Sequence, residues 1–179
     1  ILLPHPELKI RRLIKSDMLV VHSFNRWQKI LLKKFTIFIA IVILVMTLFS
    51  VQTTSSYMLY LYQMGMPVDL KAFFLAVWTD LIGMNFHGLL PPIALVIFVV
   101  LGVAFLVAHL ILKRISVEKK YFYAFAGASG MFTLVTLFPA LTYDLEMYRG
   151  ALTLLGKGYL TATGALGGYI FGLNLPRQS

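Results

Sequence analysis

Four stretches of the chain, 35–68, 81–112, 121–143 and 158–176, contain no Lys, Arg, Asp or Glu. The first two lack the recurring polar positions that give an amphipathic helix its water-facing stripe. Phe35 to Phe49 reads FTIFIAIVILVMTLF, and Pro91 to Phe105 reads PPIALVIFVVLGVAF. About 20 mostly apolar residues in an α-helix span the hydrocarbon core of a bilayer. The pattern predicts an all-α integral membrane protein with four transmembrane helices, at about 35–61, 91–112, 121–143 and 151–174.

Two further segments alternate apolar and polar residues at helical spacing. In 1–34, Leu13, Ile14, Met18, Val21, Phe24, Trp27, Ile30 and Leu31 recur every three or four positions among Lys and Arg. This predicts a basic amphipathic segment lying on the membrane surface, with its cations facing the anionic headgroups of lipids. The alternative is packing on a partner or on the protein's own inner loops. Gly65 and Pro67 then end the first span, and 69–82 follows as a short helix with Asp69 at its N-cap. At about 14 residues that helix is too short to span, so it is interfacial or re-entrant. The domain organisation is a 1–34 basic segment followed by a 35–176 four-helix transmembrane domain.

Composition sharpens this picture. Apolar residues make up 59% of the 179 and charged residues 13%, against about 25% charged in a soluble domain. The formal charge of +9 lies at the flanks of the apolar runs, with eight Lys and Arg before residue 35 and four in 113–120. That distribution fits membrane topology rather than nucleic acid, and no nucleic-acid partner is expected. Lys71 stands alone in the 62–90 connection and Arg149 alone in 144–149. Cytoplasmic loops carry the excess of Lys and Arg. Both termini and the middle loop are therefore expected in the cytoplasm, with 69–82 and the acidic turn outside. Very short loops suggest a bacterial inner membrane.

The chain has no cysteine, which excludes disulfides, thiolate metal sites and cysteine nucleophiles within it. No His-x-x-x-His or Glu-x-x-His spacing, Walker loop or nucleophile elbow occurs. Bis-histidine haem ligation would need a second inward histidine at the depth of His109, but His87 lies at the opposite end of that span and His22 precedes the first. No cofactor and no enzymatic activity are expected.

Three features remain as candidates. Gly164, Gly168 and Gly172 share one helix face, a spacing that lets two helix backbones approach closely in lipid. The face can close against another helix of the same chain, with Ala124, Gly127, Ala128 and Gly130 as the matching surface, or against a second copy. Asp80, Asn85, His87, Asp144, Glu146 and Lys157 form a candidate polar pathway or pocket toward the outer side. Within it, Gly83 is expected to break the short helix, and Lys157 either snorkels to the interface or, if the last helix starts at Gly150 and places it about two turns deep, pairs with Asp144, Glu146 or Asp80. Third, Gln52 to Ser56 can bond across helices or line a vestibule, and Pro139 should kink the third span, with Thr136 beside the freed carbonyl. These features rank a homo-oligomeric channel or transporter subunit first. A non-catalytic accessory or anchor subunit of a larger membrane complex comes second, and an enzyme acting on lipid or quinone third.

Overall fold

The computed structural model describes residues 6–86, 92–115, 117–141 and 153–175. Among these the regular elements are all helices, α1 Pro6–Gln63, α2 Leu70–Phe86, α3 Ile93–Leu112, α4 Lys119–Leu141 and α5 Leu154–Leu173. The chain divides into two compact units, Ile1–Ile37 and Phe38–Ser179.

The surface segment and first span expected as separate elements are one helix of 58 residues. The reason is local: no glycine or proline lies between Pro6 and Gly65. Pro6 suits a first helical position, where its missing N–H costs nothing. Gly65 closes the helix at φ 78°, a conformation that penalises any side chain. Met66 N–H donates to Leu61 O at 3.1 Å and Gly65 N–H to Tyr62 O at 3.0 Å, a Schellman turn.

The other boundaries also shift. α2 was expected to break at Gly83 but stays helical to Phe86; an isolated glycine lowers helix stability by only about 1 kcal/mol. α3 starts after Pro92, which is its N-cap at φ −50°, ψ 129°. α4 begins at Lys119 and remains helical past Pro139. Thr136 Oγ1 donates to Phe132 O at 2.7 Å, one turn back on its own helix, so it does not serve the carbonyl that Pro139 frees. α5 starts at Leu154 rather than near 151, because Thr153 caps it: Gly156 N–H donates to Thr153 Oγ1 at 3.0 Å.

Within the second unit, α3, α4, α5 and the part of α1 from Phe38 onward pack together around an aromatic cluster. Phe105 of α3 stacks on Phe171 of α5 with ring centroids 4.8 Å apart. Tyr123 of α4 meets both edge-on, at 5.6 and 5.1 Å. Phe38 of α1 sets its edge to Phe98, Phe105 and Phe171. Offset-stacked and edge-to-face contacts are the favoured arrangements of aromatic quadrupoles, each contributing about 0.5–1.5 kcal/mol beyond burial. Four helices are thus tied at one level by five rings. Aliphatic layers continue from it, with Ile41 and Val45 of α1, Ile97 and Leu101 of α3, and Met131 of α4 all buried.

Candidate functional site

The glycine face of α5 lies against α4. A Cβ on Gly164 would strike the carbonyl oxygen of Gly127, and one on Gly168 that of Tyr123. A Cβ on Gly172 would come within 2.6 Å of Lys120 Cα and 2.9 Å of Lys119 O. Reciprocally, a Cβ on Gly127 would meet the carbonyl oxygen of Gly164. As α5 advances from 164 to 172 its partners on α4 recede from 127 to 119, so the two helices run antiparallel along a backbone-to-backbone seam. Gly167, one position off the seam, faces α1: its Cβ would stand 2.9 Å from Ile41 Cγ2 and 3.0 Å from Val45 Cγ2. This small-residue surface is filled from within the chain.

The polar residues are less gathered. Asp80, on α2, accepts a hydrogen bond from Thr54 Oγ1 of α1 at 2.6 Å. Thr54 is fully buried and Asp80 half-buried. Thr54 lies nine residues before the end of α1, and Asp80 ten residues after the start of α2. At 1.5 Å per residue both are about 14 Å from the connecting turn, so α2 folds back along α1. One turn before Thr54 on the same face, Ser50 Oγ is buried without a hydrogen-bond partner among the described residues. Elsewhere in the hydroxyl-rich run, Thr53 donates to Phe49 O at 3.0 Å and Ser55 to Val51 O at 2.6 Å. Short hydroxyl side chains in a helix often satisfy themselves in this way. Thr54 is the residue of this run with a described bond to another helix.

Of the other candidates, Asn85 lies in the last turn of α2, while His87, Asp144 and Glu146 fall outside the described residues. Lys157 is in the first turn of α5 rather than two turns deep, because the helix starts at Leu154; its backbone N–H donates to Thr153 O at 2.9 Å. Among the described residues no ion pair joins it to Asp80; Lys120 Nζ pairs instead with Glu118 Oε2, at 2.9 Å. That hydrogen bond, reinforced by the carboxylate's charge, holds the Lys120 ammonium above its ordinary range. His109 Nδ1 lies 3.4 Å from the Tyr123 hydroxyl, between α3 and α4.

Beside the Thr54–Asp80 link, α1, α2 and α3 enclose an open groove of about 620 Å³. Its walls are apolar, including Val42 and Met46 of α1, Leu81 and Ile82 of α2, and Leu95 and Phe98 of α3. The pattern gave no hint of it, because a groove between three helices depends on their relative placement. No protein family matches the chain, and neither a curated protein nor a solved structure is similar to it.

Among the described residues, two helical segments are long and apolar enough to cross a membrane, Leu31–Gln63 with mean hydropathy 2.5 and Ile93–Leu112 with 3.0.

Proposed function

We propose that this chain is a four-span membrane protein, with α1, α3, α4 and α5 crossing the bilayer and both ends in the cytoplasm, and that it serves as a non-catalytic accessory or anchor subunit of a larger membrane complex. The membrane reading is supported by α3, of whose apolar window only 22% is buried within the chain. Leu95, Val99, Val103, Leu106 and Leu110 of α3 are all exposed, an outward apolar ridge that suits hydrocarbon and not water. On this reading α2 lies toward the outer side, and the basic N-terminal residues meet anionic headgroups. The short loops fit a bacterial cytoplasmic membrane.

The observation that carries the accessory role is the contrast between two surfaces. The glycine face, the strongest sequence argument for self-association, is consumed by α4 and α1. The groove between α1, α2 and α3 is open and wholly apolar in its named lining, and fits an apolar helix of a partner chain. The test is the mass and composition of the protein extracted from its native membrane in mild detergent. The expected outcome is a complex of fixed stoichiometry with a different protein, weakened when Leu95→Trp fills the groove. A closed ring of identical chains would refute it.

A channel or transporter subunit is the second reading, favoured by the Thr54–Asp80 hydrogen bond with Ser50, which has no partner among the described residues, one turn away. Polar groups inside a spanning bundle are costly and commonly serve a pathway. Ion flux into liposomes unchanged by Asp80→Asn would remove it.

A further inference from the structure

The connection between α3 and α4 walls a cavity of about 760 Å³ together with the end of α5. Four lining side chains, Lys113, Arg114, Lys119 and Lys120, are cationic, and one, Glu118, is acidic. Glu118 is engaged by Lys120 at 2.9 Å. Lys113 and Arg114 are exposed and form no ion pair among the described residues. At the adjoining end of α5, two carbonyls are occupied: Asn174 N–H donates to Ile170 O at 3.3 Å and to Phe171 O at 3.2 Å. The cavity therefore presents donors and an excess of positive charge, while its carboxylate already has a partner.

Its walls are not only polar. Ile115, Val117 and Leu173 line the same space and are exposed. A small hydrophilic anion would satisfy Lys113 and Arg114 but leave these apolar surfaces in water. The chemistry that matches both is an anion carried on a hydrocarbon chain. Arg favours phosphate through its planar fork of donors, and Lys adds a compact charge. Both residues directly follow α3, where a spanning helix would emerge at the cytoplasmic face.

We propose that this cavity binds the phosphate-bearing headgroup of an anionic phospholipid, with Lys113 and Arg114 as its charged contacts and Ile115, Val117 and Leu173 against the upper part of its chains. The inference rests on the membrane reading above. It differs from the diffuse attraction of the N-terminal cations in naming a bounded site.

The test uses the full chain in vesicles of equal parts phosphatidylglycerol and phosphatidylcholine, with retained lipid counted by native mass spectrometry. The wild type should retain phosphatidylglycerol over phosphatidylcholine by about thirtyfold, the scale expected for two cations at a lipid surface. Lys113→Ala with Arg114→Ala should bring that preference to within about twofold. Lys71→Ala with Lys157→Ala removes the same charge elsewhere and should leave it unchanged. Equal retention of both lipids by the wild type overturns the site. So does an equal loss in both double variants, which means diffuse surface attraction. Displacement of the lipid by millimolar inorganic phosphate would make free phosphate the ligand and also overturns it. A chain that stays in solution, apart from the vesicles, sinks the membrane reading itself, whereas a vesicle-bound chain without lipid preference sinks this inference alone.

Discussion

Gly168→Ala is the sharpest probe of the seam between α4 and α5. The new Cβ would meet the Tyr123 carbonyl oxygen, stand 2.6 Å from the Tyr123 carbonyl carbon and 3.0 Å from Ala124 Cα. Non-bonded carbon atoms settle at about 3.5–4.0 Å, so the helices must part by about 1 Å. A gap of that size forfeits about a quarter to a half of each dispersion contact along the seam. The obstacle is helix backbone, which cannot rotate aside as a side chain can. Overpacking typically costs about 1–3 kcal/mol, and this geometry calls for the upper end. Alanine offsets about 1 kcal/mol of that through its better helix propensity. The expected net loss is about 2 kcal/mol. Gly158, in the same helix, has nothing within 4 Å of its Cβ position. Gly158→Ala therefore isolates the propensity gain and should be neutral or stabilising by up to about 1 kcal/mol. Equilibrium unfolding in mixed detergent micelles, followed by far-ultraviolet circular dichroism, measures both. If Gly168→Ala proves as stable as Gly158→Ala, the seam is not the close contact described.

Three further outcomes follow from the packing. Phe105→Ala empties the middle of the aromatic cluster, where Phe105 touches Phe38, Tyr123 and Phe171; it should cost about 3 kcal/mol in the same unfolding assay, while truncation of exposed Phe125 costs under about 1 kcal/mol. Thr54→Val removes the donor to Asp80 and should destabilise the α1–α2 hairpin by about 1–2 kcal/mol, read as faster hydrogen exchange in α2, whereas Thr54→Ser keeps the hydroxyl and the protection. Gly65→Ala places a side chain at φ 78° and should lower stability by about 1 kcal/mol; an unchanged midpoint would show that the Schellman turn is not held there.

The helical class was legible in the pattern of the chain. Long runs without a charge leave no stripe for water, and the lack of glycine or proline between Pro6 and Gly65 makes α1 continuous. The breakers also marked where two helices end or begin, to within a few residues: Gly65 ends α1 and Pro92 precedes α3. Two expected interruptions, at residue 34 and at Gly83, did not occur. A change from basic to apolar composition does not itself break a helix, and a single glycine is a mild penalty that packing can override.

The destination of each face was decided only in three dimensions. The spacing of Gly164, Gly168 and Gly172 announces a close approach, but the periodicity of one helix carries no information about which helix answers it. The fold supplies α4 of the same chain. Likewise, five hydroxyl and amide side chains from Gln52 to Ser56 look alike in sequence, and only the return of α2 beside α1 gives Thr54 a partner in Asp80. The aromatic cluster joins Phe38 to Phe171 across the whole second unit. Local preferences act within a few residues along the backbone and so are written in the order of the amino acids. Contacts between helices depend on how separate segments stack, and that is fixed by the packing of all of them together.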